Sequence, residues 1–477
     1  MMTDIKRLAM ALGWVLFSVH IAHPQSSSQD SLAMREIFNI ALSEGEAHDR
    51  LRELTKEIGH RLSGSASADK AMDWGLDWMM QNGADTAFIM PVAVPAWSRG
   101  SSAWAQVHFP DGRPSLPLHI TALGGSEPTP AGQPIRSKIL IVRNLNDLDS
   151  IPDELKKGRI VLFNRPMDPL SINTGSAYGG AYDQRGRGAI ATARAGGIGA
   201  LVRSLTHALD TLPHTGSMHY EDGVARIPAA AISTVDASLL ADMWASQPDL
   251  EVEFFLNCEA RPDVMQGNVI GVMRGHERPE EVITLGGHLD SWDIGEGAHD
   301  DGAGVAHTLE ALRILHQMGY KPRRTLHFVL FINEENGNRG GIRYAEVMDS
   351  LNQTQSAFPL AAIESDAGGF VPRGFRIDAP DASVDLIRAS GSLWEPYEIH
   401  QFRRGGAGVD ISPLKEISPR PTLVGLSPDG QRYFDFHHSA QDVFENVHKR
   451  ELELGAATVA AMMRLLDLYL PPLELQR

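Results

Sequence analysis

The chain has 477 residues, and its 43 basic and 60 acidic side chains give a formal net charge of −17. That balance excludes a nucleic-acid partner, because phosphate neutralisation needs clustered Lys and Arg, while the length, about three times a typical single domain, points to two compact units or one domain with a large insertion. The only cysteine, Cys258, has no partner for an intrachain disulfide and sits in the apolar stretch VEFFLNC, where it reads as a buried, inert thiol.

Lys6 and Arg7 precede an apolar segment from Leu8 to Ala22, and a stretch of Pro, Gln and Ser follows. This order predicts a secretory signal peptide over residues 1–25 and hence a secreted or periplasmic protein; the segment is too short for a membrane span and carries His20 inside it. No other segment has the uninterrupted apolar length of a transmembrane helix, so no stable membrane insertion is expected after signal removal.

Residues 30–114 open the main domain with two helices, AMREIFNIALSEG and AMDWGLDWMMQNG, in which apolar residues recur at spacings of three and four and a Gly marks the end. They bracket EIGHRLSGSASADKA. Between residues 115 and 261 the texture changes to short β-like runs, KILIV, RIVLFN, ALVRS and PAAAIS, separated by Gly, Pro and Asp turns. This predicts an inserted β-rich module, within which GRGAIATARAGGIGALVRS reads as a small helix ending at Gly196 and Gly197 and running into a strand.

Residues 262–477 complete the main domain as strand, loop and helix in alternation: EVITLGG, DGAGVAHTLEALRILHQMG, RRTLHFVLFIN, PLAAIESD and later PTLVGL. The pattern predicts an α/β fold with a mostly parallel mixed sheet flanked by helices. The segment RRGGAGVDISP over residues 403–413 reads as an ordered loop at the sheet's edge, and the last helix, ELELGAATVAAMMRLLDLYL, is stopped by Pro471 and Pro472.

Five places in this pattern carry chemistry. His288 ends the strand EVITLGG, where ligand sites of open α/β sheets gather, and Asp290 two positions on is placed to orient its ring. Asp300 and Asp301 immediately precede a helix, so one is expected to cap it while the other binds metal. Glu334 and Glu335 follow the apolar run TLHFVLFIN. If the strand continues through them they face opposite ways, one as a metal ligand and the other as general base to a water. Asp366 ends another apolar run, and the paired His437 and His438 follow the strand PTLVGL and the turn SPDG. Carboxylates at the ends of buried strands are costly to desolvate unless metal, water or protons stand before them, so the set predicts a metal-dependent hydrolase.

The segments GGHLDSWD, AHDDGAG, NEENGNRGG, ESDAGG and FHHSAQD resemble the five metal stations of the M28 family of co-catalytic zinc metallopeptidases. With GHRLSGSASADKAMDW they resemble most the carboxypeptidase Q, or plasma glutamate carboxypeptidase, branch, and the insert resembles a protease-associated domain. The resemblance implies two Zn²⁺ per chain, with His288 and Asp366 on one, Glu335 and His438 on the other and Asp300 bridging. It makes Glu334 the general base, keeps His437 as the alternative to His438, and implies a cis peptide between Asp300 and Asp301 and a homodimer. Two zinc ions about 3.5–4 Å apart sharing one carboxylate suit this donor set.

The implied substrate is a small peptide, cut by a carboxypeptidase or dipeptidase, with an aminopeptidase as the alternative. A substrate carboxylate would be met by Arg403, Arg404, Gly405, Gly406 or Tyr433, and a substrate amine by Asp410. Three further alternatives are a zinc glutaminyl cyclase with one metal, a non-catalytic receptor with a peptidase-like fold, and a protein-binding module built around the insert.

Overall fold

The computed structural model describes residues 28–472, and the signal peptide expected over residues 1–25 lies outside them. The helix Ser28–Glu44 leads to a helix at Ala66–Gln81, whose first turn is closed by Ser65 Oγ accepting the Ala68 N–H at 3.2 Å. Strand β1 (Thr86–Ser98) then carries the chain out of one sheet and into another. The second sheet comprises β2 (Ala103–His108), β3 (Leu116–Leu118), β4 (Ile120–Ala122), β5 (Ile135–Val142), β6 (Ile160–Phe163), β7 (Gly199–Arg203), β8 (Ala229–Ile232) and β9 (Glu251–Leu256). Strand β10 (Glu259–Met273) returns the chain, paired antiparallel with β1 along its length. The register slips between Val94 and Ala96, where Pro95 has no N–H for the ladder.

The second sheet has the order β3-β2-β9-β5-β6-β7-β8-β4. Its strands span residues 103–256, so the sheet begins before residue 115, where the sequence places the module's start. Strands β5 to β8 run parallel; the helix Tyr182–Arg194 forms the crossover from β6 to β7, and the helix Thr234–Ser246 leads from β8 to the antiparallel β9. The first of these ends before Gly196, whose φ of 77° lets the chain turn straight into β7.

The main sheet adds β11 (Arg278–His288), β12 (Arg324–Phe331), β13 (Phe358–Glu364), β14 (Pro372–Asp378), β15 (Gln401–Arg404) and β16 (Thr422–Pro428) in the order β1-β10-β12-β11-β13-β16-β14-β15. Its centre, β12-β11-β13-β16, is parallel, and β11 and β13 are buried along nearly their whole length because helices cover both faces. Leu330 faces the core shared with the helices Ala303–Gln317 and Lys449–Tyr469, whereas Phe331 faces the core around Tyr344 and Met348 of the helix Arg339–Gln353. The carboxyl ends of β11, β12 and β13 thereby open side by side. Among the described residues no helix is long and apolar enough to cross a membrane. Cys258 is buried, donates to Ser126 O at 3.0 Å and has its thiol pushed up to about 11 by burial, as an inert thiol should.

One buried acid far from the strand ends gives a stability prediction. Glu453 is 2% exposed; its Oε1 accepts the His48 N–H at 3.3 Å and its Oε2 has no partner. Burial, reinforced by Glu310, pushes its pKa from 4.5 to about 7. The folded state therefore holds a proton that the unfolded chain has lost, and stability falls as pH rises from about 4.5 through 7. Glu453→Gln is expected to flatten this slope and to add up to about 3 kcal/mol at pH 8. Denaturant melts from pH 5 to 8 would show the two proteins diverging with pH; parallel curves would contradict the assignment.

Candidate metal centre

The predicted stations converge. His288 leaves the end of β11 with its ring Nδ1 2.9 Å from the Asp290 carbonyl oxygen, which turns Nε2 inward. Nε2 lies 3.2 Å from Asp300 Oδ1 and 3.7 Å from Asp366 Oδ1. On the other side of Asp300, His438 Nε2 lies 3.1 Å from Oδ2 and 3.0 Å from Glu335 Oε2. One carboxylate thus stands between two histidines, an oxygen toward each. His437 stacks on His438 at 3.5 Å between centroids and reaches Asp300 Oδ2 at 3.6 Å.

Local structure explains why these side chains point where they do. The peptide between Asp300 and Asp301 is cis. Asp301 accepts from Gly304 N–H at the helix start and from His288 N–H, each at 2.9 Å, so it is the capping member of the pair. Beyond β12 the strand does not continue through the glutamates. Asn333 turns the chain with a φ of 70°, and Glu334 and Glu335 sit in the turn that follows. Asp290 turns the His288 ring with its carbonyl oxygen, its carboxylate Oδ1 lies 3.9 Å from the ring Nδ1, and its carboxylate oxygens accept the Glu334 and Glu335 N–H groups at 3.1 and 3.4 Å. It therefore positions the glutamate turn.

A second layer holds the centre and includes residues the motifs alone do not single out. Arg61, fully buried, donates to the carbonyls of Leu289, Glu296 and Gly297 and ties down the loop after His288. Asp442 accepts from His299 N–H at 2.6 Å and Asp300 N–H at 3.1 Å. The second sheet's module contributes the segment His214–Ser217. Its Thr215 carbonyl lies 3.2 Å from His438 Nδ1, its Thr215 N–H donates to His438 O at 2.9 Å, and the His214 ring meets His437 O at 2.7 Å. The Ser217 hydroxyl donates to the Glu335 carbonyl. Arg61 lies in a quoted motif and Asp442 ends another, but nothing in the sequence couples residues 214–217 to residues 335–438.

The electrostatics are those of too many carboxylates in too little water. Burial, then Asp300, pushes Glu335 up to about 7, and burial with the neighbouring Asp366 and Glu335 holds Glu334 well above its ordinary value. Burial opposes charge on His288, yet Asp300 and Asp366 raise its pKa well above normal. Asp300 Oδ2 and Glu335 Oε1 are buried without a hydrogen-bond partner. Clusters formed by His288 with Asp300 and Glu335, by His288 with Asp301 and Asp366, and by Asp300 with His437 and His438 each bring three donor atoms within 4.8 Å of one another. Orphaned oxygens beside inward-turned imidazoles fit a borderline-soft dication such as zinc, which takes mixed N and O ligands.

The substrate-terminus candidates separate. Tyr433 packs on His437 at 5.2 Å, and burial with the nearby Asp300 and Asp366 raises its pKa well above the usual range. Asp410 is fully buried with both carboxylate oxygens unpartnered, and burial with Glu364 and Glu334 raises its pKa. Arg403 and Arg404 instead lie exposed on β15, the outermost strand of the main sheet, where Arg404 pairs with Asp381; Gly405 and Gly406 are exposed beside them.

Human carboxypeptidase Q is 31% identical over 432 residues, covering 90% of this chain and 87% of the relative. The chain belongs to peptidase family M28. The model of that family matches residues 268–463, the span that holds all five stations of this M28 metallopeptidase. The Xenopus laevis carboxypeptidase Q is 31% identical over 400 residues, 84% of this chain and 81% of the relative. Among solved structures, the M28 peptidase precursor of Shewanella amazonensis has a TM-score of 0.86 at 31% identity, covering 92% of this chain and 97% of that one. A zinc aminopeptidase from Bacillus subtilis shares the fold at a TM-score of 0.62 and 17% identity, covering 88% and 94%.

Proposed function

We propose that this M28 metallopeptidase is an exported carboxypeptidase or dipeptidase acting on small peptides, with two zinc ions held by His288, Asp300, Glu335, Asp366 and His438. The observation that carries the reading is the position of Asp300, one oxygen toward His288 and Asp366 and the other toward His438 and Glu335. Preference for the carboxyl end follows the kinship with the carboxypeptidase Q proteins. Bound zinc supplies Lewis acidity toward a water and toward the substrate carbonyl.

The protein's own groups do the rest. Glu334 takes a proton from the attacking water and delivers it to the departing amine. Asp290 holds the glutamate turn so that Glu334 and Glu335 keep separate jobs, and Asp301 and Asp442 fix the backbone on either side of Asp300. Strands Ala103–Leu256 form the protease-associated-like insert of this reading, between the two parts of the peptidase domain.

Asp410 favours a second reading, aminopeptidase cleavage, because an unpaired buried carboxylate suits a substrate ammonium. A digest of a peptide library with the zinc-loaded protein, comparing free and blocked termini, separates them. Loss of cleavage on amidating the carboxyl end is expected, loss on acylating the amino end alone would favour the aminopeptidase, and absence of both cleavage and bound zinc would end the metallopeptidase mechanism. Pyroglutamate formation without hydrolysis would instead mark a cyclase. Native mass spectrometry reads the two zinc ions and the homodimer that belong to the same proposal.

A further inference from the structure

One guanidinium joins the two sides of the metal centre by way of the insert. Arg99 follows the last residue of β1, where the chain leaves the main sheet, and its side chain is 11% exposed. Its Nε and Nη2 donate to Asp293 Oδ1 at 2.9 and 2.5 Å, and Asp293 belongs to the loop that leaves β11 at His288. Its Nη1 turns the other way, to three oxygens of the insert: the Ala122 carbonyl, Thr121 Oγ1 at 3.2 Å and Thr215 Oγ1 at 3.1 Å. The rings of Trp97 and Trp292 stand 5.2 and 5.8 Å from its Cζ, so the ion pair sits among apolar groups and is screened less than a surface pair.

Thr215 is also the residue that meets His438, with its carbonyl 3.2 Å from the ring Nδ1 and its N–H on the His438 carbonyl at 2.9 Å. An imidazole that gives Nε2 to a metal keeps its proton on Nδ1, and a carbonyl that accepts this proton fixes both the tautomer and the ring orientation. The Thr215 hydroxyl is itself held, donating to Ala122 O at 2.9 Å while it accepts from Arg99. The contacts thus run unbroken from the His288 loop through Asp293, Arg99 and Thr215 to His438. Trp292, from the same loop, runs beside them: its ring meets His438 edge-on at 5.8 Å, and a Cβ added to Gly124 of the insert would fall 1.9 Å from its Cη2. An ion pair that only fastened the insert could end on any of its polar groups. This one ends on the residue whose carbonyl orients a metal ligand.

We propose that Arg99 is a positioning residue for the zinc ligand His438: by spanning Asp293 and Thr215 it holds the Thr215 carbonyl against the His438 ring, so that docking of the inserted module is part of the zinc site on that side. The guanidinium suits the task because its donors diverge in a rigid fork, one edge to the carboxylate and Nη1 to the insert, whereas an ammonium is a single point. The coupling is reciprocal: if docking of the insert favours zinc, zinc favours docking by the same factor. This assignment rests on the two-zinc reading above.

The test is chelator competition on the zinc-loaded full chain. Arg99→Gln is expected to weaken one of the two zinc ions by about 10–100-fold, the range for losing an outer partner of a metal-bound histidine, and to leave the other unchanged. In a His438→Ala background, whose remaining zinc belongs to His288, the same substitution should change nothing. Thr215→Val keeps the ion pair and the carbonyl but removes the hydroxyl; it is expected to weaken the same ion by a smaller factor and to add nothing to Arg99→Gln. Hydrogen exchange gives a readout independent of activity: zinc should slow exchange in the segment His214–Ser217 of the wild type, and slow it less in Arg99→Gln. A lower Tm with both zinc affinities intact would show a mere fastening of the insert, and equal loss of both ions, or a further loss in the His438→Ala background, would detach Arg99 from His438; each overturns the proposal. Full affinity in Arg99→Lys overturns it as well, because a point charge does not span both partners. Should Arg99→Gln fail to fold, Thr215→Val decides by the same criterion. Should the wild type bind no zinc, the metal reading falls and the positioning role with it; two zinc ions bound at unchanged affinity in the folded variants remove the positioning role alone.

Discussion

Replacing Glu334 by Gln is expected to leave the zinc content unchanged and to lower kcat by about 10²–10⁴-fold, the range that a positioned general base contributes. Gln keeps the size and shape of Glu but has no basic oxygen to take a proton. Glu334 is the one member of the glutamate pair that remains partly exposed, while Glu335 is buried against His438 at 3.0 Å. The Asp290 carboxylate grips the backbone of both, so the substitution should not disturb the turn. Metal analysis and steady-state kinetics on the same sample decide the matter. Turnover within about threefold of the wild type would remove the base role, because the smallest such contribution is about 10²-fold. Loss of zinc would make Glu334 a ligand.

Replacing Asp300 by Ala is expected to weaken zinc binding at both positions together. Asp300 lies 3.2 Å from one histidine and 3.1 Å from the other, and their proximity holds its carboxyl well below its usual pKa against the opposing effect of burial. Removing one partner from a buried charged set costs about 3–5 kcal/mol, which is about 10²–10⁴-fold in affinity. Competition with a calibrated chelator should show both zinc ions lost at lower chelator concentration, with activity falling in step. If one zinc stays at wild-type affinity, Asp300 serves a single metal and the bridging assignment fails.

Both experiments probe positions that were visible before the chain was folded. His288, Asp300, Glu335, Asp366 and His438 stand beside apolar runs or turn signals, and the runs became β11, β12, β13 and β16 or the helix Ala303–Gln317. The α/β class was legible for the same reason: buried parallel strands are continuously apolar, and the helices between them repeat at three and four. Where the reading slipped, a local rule met a tertiary contact. The alternation expected for Glu334 and Glu335 gave way to a turn because Asn333 takes a φ of 70° and Asp290 caps the glutamate N–H groups. The parallel pairing of the insert's strands was hidden by runs too short to reveal it, although the helix that ends before Gly196 and runs into β7 was legible.

The sequence by itself determined the elements and the order of the metal stations along them, since each depends on residues within a few positions of one another. Tertiary structure alone decided which oxygen of Asp300 faces which histidine, that Asp301 caps while Asp290 steadies the glutamate turn, and that Thr215 of the insert stands behind His438. These arrangements join segments up to some two hundred residues apart. No periodicity spans such a distance, and only the packing of the two sheets brings the groups within hydrogen-bond reach.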